Sequence, residues 1–136
     1  MRASAFLLMT LAALGGCALP IDAPNWASDD SAGPEPVNYR FVVANDLHKI
    51  AGQDLEARLF EISPPRRVNM QRGATWMACV KELRFPSRTA RTYHSVFIQR
   101  DRIVESRFAV VLDQCETETY TPFDWKADRD NPLPLR

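Results

Sequence analysis

Thr92-Tyr93-His94-Ser95-Val96-Phe97-Ile98-Gln99, then Arg100-Asp101, then Arg102-Ile103-Val104-Glu105-Ser106-Arg107-Phe108-Ala109-Val110-Val111-Leu112 is the stretch that decides the fold. Both halves are rich in β-branched and aromatic residues, and the charged pair between them marks a turn, so residues 92–99 and 102–112 predict a β-hairpin. If the turn has two residues, positions summing to 201 lie opposite each other. Phe97 then meets Val104, Ser95 meets Ser106 and Tyr93 meets Phe108 on one face, which forms the expected core-facing row. Ile98–Ile103 and Val96–Glu105 fall on the other face. Arg-Asp is not a favoured pair for such a turn, so a longer loop is the alternative.

Upstream, Thr75 to Phe85 alternates, with Trp76, Ala78 and Val80 on one face and Met77, Cys79, Leu83 and Phe85 on the other. Pro86-Ser87 ends that strand. Leu59-Phe60-Glu61-Ile62 predicts a shorter one, closed by Ser63-Pro64-Pro65 because consecutive prolines cannot donate to a ladder. Arg66 to Gly73 reads as a basic loop. Downstream, Thr117, Thr119 and Thr121 predict one short edge strand. Before all of these, Tyr39, Val43, Leu47 and Ile50 recur at helical spacing. They predict an amphipathic helix over residues 37–51, with Asn38 placed to cap it and Gly52 to end it. The fold expected is α+β: one amphipathic helix packed on an antiparallel sheet of three to five strands.

The beginning of the chain has a different character. Arg2 precedes the apolar run Ala5 to Leu14, which leads to Leu14-Gly15-Gly16-Cys17. A charged start, an apolar stretch of about ten residues and small residues after it have the layout of an export signal, too short for a permanent membrane span. Leu14-Gly15-Gly16-Cys17 resembles the lipobox of bacterial lipoproteins. That resemblance implies diacylglycerol on the Cys17 thiol, cleavage before Cys17, and a lipid-anchored protein in the bacterial cell envelope facing the periplasm. Ala18 after the cysteine leans, by the same analogy, towards the outer membrane. An ordinary secretory signal with Cys17 near the cut is the alternative.

With Cys17 assigned to lipid, Cys79 and Cys115 remain as a pair in an oxidising compartment, where a disulfide forms and persists. On chain-entropy grounds, closing that loop stabilises the fold by about 4 kcal/mol. Two separate buried thiols are the alternative. A simple meander leaves Cys115 too far from Cys79, so either the chain bends back after Phe108, or the strand order differs, or the cysteines stay apart; the expectation is the disulfide with a bend near Arg107–Val111. The order of parts is reminiscent of the small lipoprotein subunit of the outer-membrane β-barrel assembly machinery. Ile62-Ser63-Pro64-Pro65, Trp76-Met77-Ala78-Cys79-Val80 and the later Cys115 resemble uncharacterised small alphaproteobacterial lipoproteins, which implies a family domain without a role.

The expected organisation is a signal peptide at 1–16, a lipidated cysteine and Pro-rich tether at 17–36, one domain at 37–125, and a flexible tail at 126–136. The 120 residues left after cleavage suffice for one compact domain.

Chemistry-bearing patterns are sparse. His48 and His94 lack partners at metal-ligand spacing, no Gly-rich phosphate loop exists, and no serine sits in a nucleophile elbow. The sequence therefore carries no catalytic, metal or cofactor expectation, and its near-neutral charge gives none for nucleic acid. Charge is unevenly placed, however. Residues 66–107 hold nine arginines and Lys81 against three acids, a local balance of +7.

Three roles follow as expectations. The first is a membrane-anchored, non-enzymatic interaction or structural module with an envelope protein partner. The second is a binding module for lipid head groups or lipopolysaccharide through Arg66, Arg67, Arg88 and Arg91. The third, an enzyme, would need a pocket gathering His94 with a carboxylate or serine.

Overall fold

A computed structural model describes residues 30–132; the signal segment and Cys17 lie outside the described residues. One long helix, α1 (Tyr39–Ala51), precedes the strands β1 (Leu59–Ile62), β2 (Arg66–Met70), β3 (Gly73–Leu83), β4 (Ala90–Gln99), β5 (Arg102–Phe108) and β6 (Thr121–Phe123), and a short helix, α2 (Trp125–Asp130), ends the fold. All pairings are antiparallel, in the order β5-β4-β3-β1-β6, with β2 also on β3.

The expected α+β class, with one main helix and a disulfide, is the observed one. The strand count is six rather than three to five, and the reason lies at Ser63-Pro64-Pro65. Ile62 pairs with Val80 and Arg66 with Met77, so β1 and β2 follow the same edge of β3 and are two halves of one interrupted strand. The prolines have no N–H for the ladder. Ser63 repairs the break: its backbone N–H donates to Cys79 O (2.9 Å) and its hydroxyl accepts from Cys79 N (2.9 Å). The expected basic loop at 66–73 is thus a strand plus a tight Gln71-Arg72 turn, at the end of which Gly73 holds φ +107°.

α1 buries Val43, Ala44 and Leu47 against Phe60, Ile62, Ala78, Val80, Val96, Ile98 and Phe123. Asn38 stands at the N-cap position without capping through its side chain, whereas Gly52, at φ +86°, closes the helix by donating to His48 O. The opposite face of the sheet is buried too. Met77, Cys79 and Phe97 pack with Cys115, flanked by Val68, Met70, Tyr93, Ala109 and Tyr120. Phe97 and Tyr93 therefore belong to this second layer, and the helix-facing row of β4 is Val96 and Ile98.

The cover over that second face is residues 109–120, which include two 3-10 turns, Val111–Asp113 and Cys115–Thr117. Cys115 is bonded to Cys79 with Cα atoms 5.6 Å apart. Cys79 lies opposite Ser95, and the bend that the disulfide requires comes just after Phe108, where β5 stops four residues before the expected Leu112.

Both expected domain boundaries move outward. Residues 30–33 are docked on the domain: Ala32 is buried, Ser31 Oγ donates to Ala74 O (2.8 Å) and Trp76 Nε1 donates to Gly33 O (3.1 Å). At the other end, α2 runs past residue 125, and Arg40 of α1 grips its Asp128 through Nε and Nη2 (2.9 and 2.8 Å). That ion pair, led by the hydrogen bond, raises the pKa of Arg40 despite its partial burial.

Candidate functional site

The turn of the β4–β5 hairpin is two residues long, with Arg100 and Asp101 both in the left-handed region (φ +48° and +59°). Gln99 faces Arg102 and Ile98 faces Ile103, the register expected from a sum of 201. Phe97 then faces Glu105 rather than Val104, because Val104 is an extra residue in β5. This β-bulge reassigns every later pair. Arg107, not Ser106, comes opposite Ser95, and Phe108 comes opposite His94 instead of Tyr93.

A second irregularity lies at the start of β4. Leu83 pairs with Ala90 and Glu82 with Thr92, which leaves Arg91 as the extra residue. Arg91 thereby reaches the α1 side of the sheet, and its Nη1 donates to Glu82 Oε1 at 3.2 Å.

The two bulges assemble an open hollow of about 340 Å³ at this end of the sheet. The end of α1 (Ile50, Ala51, Gly52) forms one wall, and Arg58, Glu82, Arg91, His94 and Phe108 supply the others. Glu82 is 4% exposed, an expensive site for a carboxylate, and Arg58 at 3.7 Å and Arg91 at 3.2 Å answer it. Arg58 also donates from Nη1 to Ala51 O (2.6 Å), which satisfies a carbonyl at the end of α1. His94 is 4% exposed, with the Phe108 ring 5.1 Å from its own. Its Nε2 is buried and has no hydrogen-bond partner among the described residues. Burial pushes the imidazole below its ordinary 6.5, against the opposing pull of Glu82, while Arg58 adds to the lowering.

Next to the hollow stands an apolar spur. Phe108 is 71% exposed, Val110 50%, Val111 94% and Leu112 88%. The segment is held from beneath. Ala109 N–H donates to Tyr93 O (2.9 Å), extending the ladder past β5. Asp113, buried, accepts from Ser95 Oγ (2.7 Å), Val110 N–H (3.0 Å) and Arg107 Nη2 (2.9 Å). Burial pushes the Asp113 carboxyl upward, but these donors outweigh it and hold the carboxyl below its ordinary range. The disulfide at Cys115 fixes the far end. Four apolar side chains are thus presented to solvent on a pinned support.

The four arginines singled out in the sequence do not form one patch. Arg66 is a structural clamp on the cover, donating to Glu118 Oε1 (2.7 Å) and to Asp113 O (2.6 Å). Arg67 is exposed on β2. Arg88 is exposed in the loop between β3 and β4, at φ +55°. Arg66 pairs with Met77, whereas Arg91 bonds Glu82, five residues and about 16 Å further along β3. Of the histidines, His48 is exposed on α1. His94 does meet a carboxylate in a hollow, as the enzyme expectation demanded, but Glu82 is committed to two arginines. Among the described residues no group of three or more His, Cys, Asp or Glu side chains is placed to hold a metal.

Sequence reasoning missed Arg58, Glu82 and the spur. The visible signal for the spur is Ala109-Val110-Val111-Leu112, an apolar run with no polar alternation at the end of an otherwise alternating strand.

No protein-family model matches this chain, and neither a curated protein nor a solved structure does.

Proposed function

We propose that this protein is a lipid-anchored module of the bacterial cell envelope that works by protein–protein contact, with the spur Phe108–Leu112 as its docking element. The observation that carries the reading is the near-complete exposure of Val111 and Leu112 on a segment fixed by Asp113 and by the disulfide. Apolar residues held outward need no ordering on binding, which lowers the entropic cost of association. The Cys79–Cys115 disulfide is in keeping with an exported protein. An anion site built from Arg66, Arg67, Arg88 and Arg91 together is not favoured, because Arg66 is committed to Glu118 and Asp113 and lies about 16 Å along β3 from Arg91.

The test uses the full-length protein in intact cells. A photocrosslinking residue at Leu112 is expected to give a discrete protein adduct that a residue at Asp101 does not, and Val111→Ser is expected to abolish it. Equal adducts from both positions, or none from Leu112, would overturn the docking role. Radiolabelled palmitate incorporated by the wild type and lost in Cys17→Ser tests the anchor; an unlabelled wild type overturns it.

A further inference from the structure

We infer that the hollow beside the spur is a subsite for a carboxylate carried by the docked polypeptide, so that the partner segment has an acidic side chain flanked by apolar ones. This rests on the spur being a docking element and adds the chemistry of what docks. Phe108 belongs to both features: its ring stands over His94 on one side and borders the spur on the other, so a ligand on the spur lies against the hollow.

The charges lining the hollow are Arg58, Arg91 and Glu82, a formal sum of +1 that one further carboxylate would neutralise. Glu82 engages Arg91 at Nη1, and a guanidinium carries five N–H donors in a planar fork, so Arg91, with its side chain 57% exposed, keeps donors for a second carboxylate. His94 lines the same hollow, and its buried Nε2 has no hydrogen-bond partner among the described residues, so the imidazole is a close reporter of what enters beside the two arginines. Two separate bulges bring Arg91 and Phe108 to this place, and bulges recur where a side chain must be re-aimed.

The obvious rival for a partner, strand addition along the open edge of β5, is blunted by the bulge at Val104 and by Arg102, Glu105 and Arg107.

The chain has only two histidines, so isotope-labelled histidine gives two imidazole signals even with the lipidated full-length protein in nanodiscs. The exposed His48 is the internal control. The probe is hexanoate, which joins a carboxylate to an apolar tail, against hexanamide, which has the tail and no charge. At pH 7.5 hexanoate is expected to shift the His94 signal saturably and leave His48 in place, while hexanamide moves neither. Arg91→Gln should weaken the response by about tenfold; Arg91→Lys, which keeps the charge but not the fork, should fall between. Equal action of hexanamide, parallel movement of both histidines, or an unchanged response in Arg91→Gln or Arg91→Lys would overturn the subsite. A failure here with the Leu112 crosslink intact removes the carboxylate and leaves the docking spur standing.

Discussion

Ser95 Oγ donates to Asp113 Oδ2 at 2.7 Å inside the protein, tying the middle of β4 to the segment that carries the spur. The same carboxylate takes Val110 N–H and Arg107 Nη2, so one side chain fixes both the shape and the position of residues 110–113. Asp113→Asn removes the charge from these bonds and should destabilise the fold by about 1.5–3 kcal/mol, read as a lower urea midpoint. Because the folded pKa lies below the ordinary carboxylate value of 3.8, the contribution is complete above that value and is lost as pH falls through the depressed one. The gap in midpoint between wild type and Asp113→Asn should therefore close on acidification. A gap that is constant with pH would rule this out.

Cys79 and Cys115 join β3 to the cover at the other end of the same segment. The double substitution to serine should lower stability by about 4 kcal/mol on loop-entropy grounds. Hydrogen exchange should rise in residues 109–120 well before it rises in β3. Uniform acceleration over the whole sheet would mean that the cover is not a separate cooperative unit.

Much of the fold is legible in the sequence because it is written in local periods. The helical spacing of Tyr39, Val43, Leu47 and Ile50 gives α1, the alternation after Thr75 gives both faces of β3, and the cysteine count gives the disulfide. The bulges are not legible in this way. Val104 looks like an ordinary strand residue and Arg91 like the end of the loop before β4, and what makes each of them extra is the fit of its strand to a neighbouring strand. Since the bulges set which side chains meet, the hollow built from Arg91, Glu82, His94 and Phe108 was hidden, although every member was in view. The break at Ser63-Pro64-Pro65 is readable, but the continuation beyond it is not: proline rules say where a ladder is interrupted, not that Ser63 will bridge the gap.

Deleting Val104 tests the bulge directly. With the extra residue gone the hairpin would run at a constant register, and every later pair would be kept: Glu105 opposite Phe97, Arg107 opposite Ser95 and Phe108 opposite His94. The His94 signal should therefore keep the ring-current shift from Phe108, and Arg107 should stay on Asp113. Loss of that shift would mean that the bulge's local geometry, and not the register alone, places Phe108 over His94.

His94 gives the protein a second pH dependence, in the same direction as that of Asp113 but at higher pH. Its folded pKa is lowered from 6.5 by burial, so below that value the unfolded chain binds the proton that the folded one refuses. Stability should decline as pH drops from about 6.5 towards the lowered folded value, and be unaffected by this group above 6.5. His94→Gln should flatten that part of the profile in urea melts. A wild-type profile flat between pH 7 and 5 would refute it.

The spur separates a stability role from a docking role more sharply than any other part of the molecule. Val111 and Leu112 are 94% and 88% exposed, so serine at both removes almost no buried area and should change stability by less than about 0.5 kcal/mol. Leu47, fully buried in the helix-side core, is the contrast: Leu47→Ala should cost about 2–5 kcal/mol. If the spur were part of the core of the free protein, the serine pair would lower the urea midpoint as Leu47→Ala does. If it is held out for a partner, the pair should leave the midpoint in place and remove the Leu112-region crosslink, read from a photocrosslinker moved to the neighbouring Val110. Loss of both midpoint and crosslink would assign Val111 and Leu112 to folding and take the docking role away.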